Sequence, residues 1–114
     1  MSTMPRLCYI AGPMTGLPEF NAPAFDEKAR ELRASGAVVH NPAEIARAHG
    51  LDLADPDCLA RAGLGLEVLV RSDIAALAQC RELHLLPGWE LSKGTALELV
   101  VARAMGLLIV DEEA

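Results

Sequence analysis

Aromatic side chains are scarce in this chain: one Trp, one Tyr and two Phe make up 4% of its 114 residues. Its core must therefore be aliphatic, built from the Leu, Val, Ile and Ala that dominate an apolar content of 52%. Cysteine is also sparse. Cys8, Cys58 and Cys80 are odd in number, widely spaced and free of any C-x-x-C pattern. This excludes a disulfide framework and argues against a zinc site, and free thiols suit a reducing compartment, so a cytoplasmic protein is expected. His40, His49 and His84 form no HxxxH-type pair, and no metal or other cofactor is expected. Basic residues number 10 against 16 acidic ones, a net charge of −6 that argues against a nucleic-acid polymer as partner. A single small anion remains compatible, because a helix N-terminus and backbone amides hold a phosphate without a basic surface. No basic stretch leads into a long apolar run at the N-terminus, and no run is long enough to span a bilayer, so neither a targeting segment nor a membrane partner is expected. With 23% charged residues, the chain has the composition of a folded protein and the length of a single domain, residues 1–114.

What is present alternates. Arg6–Ala11 is a short apolar run closed by Gly12-Pro13, the pattern of a buried strand and turn. The loop Gly12–Glu19 leads to a helix over Ala22–Ser35 with Ala24, Phe25, Ala29 and Leu32 as its apolar stripe. Ala37–His40 reads as a second strand stopped by Asn41-Pro42. Ala43–Ala62 carries little signal beyond a turn or two of helix near Glu44–Ala48. A helix over Gly65–Gln79, a strand over Glu82–Leu86, a helix over Thr95–Met105 and a strand over Leu107–Val110 complete the chain, with Asp111, Glu112 and Glu113 as a solvated tail. Strands alternating with helices imply right-handed βαβ crossovers and a parallel sheet covered on both faces. The expected fold is thus a flavodoxin-like three-layer α/β/α domain with strand order 2-1-3-4. Its ligand crevice would open beyond the first and third strands, between the loops Gly12–Glu19 and Pro87–Lys93.

Asp73 is the most informative single residue. It falls inside the apolar face formed by Leu66, Leu69, Val70, Ile74 and Leu77. A carboxylate among buried aliphatics costs several kcal/mol unless it is paired or opens on a cleft. The alternatives are a site residue and a structural Asp bonded to a neighbouring loop. Glu98 follows the loop that rims the crevice, and Gly94 and Ala102, four residues to either side, leave room beside it. A helix N-terminus would keep such a carboxylate ionised. However, Thr95-Ala96-Leu97-Glu98 is also a capping box, in which Glu98 would merely bond the backbone of its own helix. Gly12-Pro13-Met14-Thr15-Gly16 is a tight turn where this fold holds phosphate or sugar groups, though it matches neither a GxGxxG nor a Walker loop. Tyr9 shares one face of the first strand with Leu7 and Ala11, which suits core packing. Trp89, next to Glu90, could stack on a base or cover the end of the sheet.

Together, Tyr9–Gly16 (YIAGPMTG), Asn41-Pro42, Asp73, Leu86–Glu90 (LPGWE), and Gly94 with Glu98, Ala102 and Gly106 resemble one superfamily. It is that of nucleoside 2-deoxyribosyltransferases and deoxynucleoside 5′-monophosphate N-glycosidases, most of all its small bacterial and phage branch. The resemblance implies that Glu98 is the nucleophile at C1′ of the deoxyribose, that Tyr9 orients it, and that Asp73 assists protonation of the base. It further implies that Gly12–Gly16 holds the 5′ end, that Glu90 contacts base or sugar, and that the protein self-associates. Where the family usually has Leu-Gly after the nucleophile, this chain has Leu99-Val100, and it stops soon after its last strand. The short C-terminus weighs against base transfer more than against hydrolysis. Both departures also leave open a non-catalytic nucleotide-binding or sensing module built on the same pocket.

Overall fold

The computed structural model describes residues 5–112. Four parallel strands form one sheet: β1 (Leu7–Ala11), β2 (Val38–His40), β3 (Glu82–Leu85) and β4 (Leu108–Asp111). Their order is β2-β1-β3-β4, with Tyr9 level with both His40 and Leu83, and Leu83 level with Ile109. This is the flavodoxin-like order expected from the alternation of elements. Five helices join the strands: α1 (Ala22–Ala34), α2 (Pro42–Ala48), α3 (Cys58–Ala62), α4 (Leu66–Leu77) and α5 (Lys93–Ala104). Among the described residues, no helix is long and apolar enough to cross a membrane.

The two-residue period of β1 divides the core. Cys8 and Ile10 face α1 and meet Phe25, Ala29 and Leu32, the stripe expected of that helix. Tyr9 and Ala11 face the other way, against Ala76 and Leu77 of α4 and Leu99 and Ala102 of α5. The near-silent stretch resolves into α2 and α3, whose buried Ala43, Ala46 and Cys58 join Leu51 and Leu53 in the α1-side core. Asn41 starts α2 by accepting from the Ala43 amide at 3.0 Å, and its Nδ2 donates to Asp26 at 3.0 Å.

Asp111 is not solvated tail. It is the last residue of β4 and accepts the indole N–H of Trp89 at 3.0 Å. Glu112 accepts from Lys28 at 2.8 Å, and Glu113 lies outside the described residues.

At the end of β1, Gly12 packs tightly under Leu86, whose amide donates to the Ala11 carbonyl at 2.8 Å. A Cβ on Gly12 would lie 2.8 Å from the Leu86 Cβ, so Gly12→Ala must push β1 and the β3 exit apart. We expect it to destabilise the fold by about 1–3 kcal/mol, read as an earlier thermal or urea transition.

Candidate active site

Beyond the C-terminal end of β1 lies a cavity of about 610 Å³, within the range of small-molecule sites. Its wall runs from Ile10 and Ala11 through the turn Gly12–Thr15 to Phe20, then across α2, α3 and the exposed side of α4. Ser92, Lys93, Gly94, Thr95 and Glu98 close it from α5. The turn before α1 is strained: Glu19, Phe20 and Asn21 all have positive φ, at 53°, 53° and 61°. Asn21 pins this turn by donating to the Pro13 carbonyl at 2.9 Å.

The apolar face of α4 is only partly core. Leu77 is fully buried, but Leu66 and Val70 are 60% and 37% exposed and line the cavity together with Asp73. The odd carboxylate therefore opens on a cleft, the second of the two ways a buried charge becomes tolerable. It is not held by a loop: its Oδ1 is buried without a hydrogen-bond partner. Burial pushes the Asp73 pKa up from 3.8 to about 7.

Glu98 is not a capping residue. The helix begins earlier than expected, with Ser92 as N-cap accepting from the Thr95 amide at 3.1 Å, which puts Glu98 in the second turn. Its carboxylate instead accepts the hydroxyl of Tyr9, which reaches it from the centre of the sheet. Burial raises the Glu98 pKa from 4.5 to about 7; the Tyr9 bond pulls it down, and the nearby charge of Asp73 pushes it up. Burial, and then Glu98 and Asp73, raise the Tyr9 phenol well above its ordinary value, so it stays protonated and donating.

The structure thus brings Glu98 and Asp73 to one cavity together with Gly12, Pro13, Met14, Thr15 and Gly94, while Tyr9 lies behind the wall and reaches the site only through its hydroxyl on Glu98. Gly16, Trp89 and Glu90 are not on its wall. Gly16 and Glu90 are exposed, and Trp89, bonded to Asp111, covers the β3–β4 end of the sheet. Sequence reading missed Ser92, Lys93 and Thr95, although a serine ahead of an amphipathic helix was a usable capping signal. Lys93 is the one basic side chain on the wall, at the end of α5 where the helix dipole is positive. Metal-type ligands do not gather at the cavity. Among the described residues they meet only as Cys8, Glu82 and His84, on the α1 face of the sheet.

A family model described as a domain of unknown function (DUF4406) matches residues 6–111. The chain belongs to the DUF4406 family. The match runs from just before β1 to the end of β4, so this DUF4406 domain contains the whole cavity with Tyr9, Asp73 and Glu98. No curated protein matches the chain.

Proposed function

We propose that this DUF4406 domain is an N-glycosidase or 2-deoxyribosyltransferase acting on deoxynucleosides or their 5′-monophosphates, with Glu98 as nucleophile. One observation carries the reading: two carboxyl groups, Glu98 buried and Asp73 half-buried, share an apolar cavity, and a buried tyrosine donates to only one of them. The Tyr9 hydroxyl favours the charge on Glu98, while Asp73, whose Oδ1 has no donor, is the better place for a proton. Glu98 then attacks C1′ of the sugar, and the bonding pair of the glycosidic bond leaves with the base as Asp73 gives it a proton. In the second half Asp73, now a carboxylate, takes a proton from water; the resulting hydroxide oxygen bonds C1′ and releases Glu98. A second base in place of water would give transfer.

The positive end of α5 and Lys93 favour an anionic substituent on the substrate, which supports the monophosphate over the free nucleoside. Chromatography of deoxynucleosides and their monophosphates after incubation tests the proposal, with released base expected. Ligand-induced thermal stabilisation without product would identify the binding module instead. Lys93→Glu should raise KM for monophosphates about tenfold while leaving that for nucleosides nearly unchanged. The reading also includes a cytoplasmic setting, in keeping with three free thiols, and self-association, for which Leu97 and Val100 on α5 remain exposed.

A further inference from the structure

The α1 face of the sheet carries a second group of reactive side chains with no part in the chemistry above. Cys8 in β1 and Glu82 and His84 in β3 come from positions far apart in the chain, and the parallel register stacks them. The Cys8 thiol donates to Glu82 Oε1 at 3.6 Å, and His84 Nε2 lies 2.9 Å from the same oxygen. Each can offer one ligand atom, all within 4.8 Å of one another. A tetrahedral zinc with bonds of about 2.3 Å to sulfur and 2.0 Å to nitrogen and oxygen sets its ligand atoms roughly 3.3–3.5 Å apart. The three side chains are therefore nearly in place. Cys8 and His84 are almost fully buried, and a groove of about 530 Å³ lined by Glu82, His84 and Arg6 connects the group to solvent.

Arg6 is the competitor. Its Nη2 donates to Glu82 Oε1 at 2.9 Å and approaches Cys8 Sγ at 4.0 Å, and its side chain is 44% exposed. Charge balance suggests how the two occupants alternate. With the thiol protonated, the charges of Arg6 and Glu82 sum to zero. A divalent cation with a Cys8 thiolate and Glu82 also sums to zero, leaving Arg6 to swing into water. We propose that Cys8, Glu82 and His84 form a binding site for a zinc-type divalent cation, with Arg6 as the group that the metal displaces. Binding releases the Cys8 proton to solvent and takes the imidazole through Nε2, the nitrogen that faces Glu82. Thiolate and imidazole together select zinc or cobalt over magnesium or calcium.

Titration of the full chain with Co²⁺ tests this, because a thiolate ligand gives a sulfur-to-cobalt charge-transfer band. One equivalent should develop the band, and Zn²⁺ should bleach it. The Cys58→Ser/Cys80→Ser double variant, which keeps only the Cys8 thiol, should retain the band. His84→Gln should weaken binding about tenfold or more. Arg6→Ala should tighten it, as displacement requires and a merely structural ion pair would not. Loss of the band in the double variant, or an unchanged affinity in Arg6→Ala, would overturn the proposal. Because the readout involves neither Glu98 nor any substrate, it stands apart from the proposed glycosidase activity.

Discussion

Glu98→Gln should release base at least about a thousandfold more slowly than the wild-type chain while folding more stably above neutral pH. The kinetic half follows from chemistry. An amide cannot form the glycosyl intermediate, and groups that act as a unit lose most of their effect when one is removed. The stability half follows from burial. Glu98 titrates at about 7 in the folded chain against 4.5 when exposed, so the folded state holds its proton more tightly than the unfolded one. An acid raised in this way costs nothing below pH 4.5, becomes destabilising as pH rises, and exerts its full penalty above about 7. That penalty is on the order of 3 kcal/mol. Gln keeps the shape and still accepts from Tyr9 but never ionises, so its advantage should be absent at pH 4 and complete at pH 8. Denaturant titrations of both proteins at the two pH values check the sign. A variant equally unstable at both would mean that Glu98 matters for packing. An active variant would remove the glycosidase reading altogether.

The contrast between Asp73 and Glu98 shows what a sequence makes visible. Asp73 stands out because a carboxylate interrupts an apolar helical stripe, a conflict contained within a few adjacent turns. Its environment follows from α4 alone, and the structure places it on the cavity with an unpartnered oxygen. The partner of Glu98 lies 89 positions away in β1, and nothing local announces it. Tyr9 reads as core, and it is core, with no exposed surface; its hydroxyl is nonetheless bonded to Glu98. The capping box misled because Thr95-x-x-Glu98 fits the motif while Ser92, three residues earlier, does the capping. The strands were legible because each is an apolar run with Pro or Gly close to at least one of its ends. The helices α2 and α3, with 7 and 5 residues, are too short to display a 3.6-residue period. Cys8, Glu82 and His84 meet only through the β1–β3 register, which no spacing rule for metal ligands anticipates.

Tyr9→Phe should have the opposite pH signature to Glu98→Gln. Phe fills the same space in the α4–α5 core but cannot donate, so the buried Glu98 carboxylate loses the one bond that lowers its pKa. Its titration should move above about 7. At pH 7 fewer molecules then carry the ionised nucleophile, and those that do hold it without an orienting donor. A hydrogen bond to a charged group contributes about 1.5–3 kcal/mol, so base release should fall roughly 10- to 100-fold at pH 7. Part of the deficit relative to the wild-type chain should close by pH 9, because the acidic limb of the rate profile shifts upward. Both proteins slow there as Asp73 loses its proton. Stability should follow the same titration: near wild type at pH 4, where Glu98 is neutral in both proteins, and further below it with each step above pH 7. The two variants thus pull one curve in opposite directions, Gln flattening the decline of stability with pH and Phe steepening it. A Phe variant slowed equally at every pH would leave Tyr9 as packing alone. A shifted limb with a normal fold would show that its hydroxyl sets the charge on Glu98.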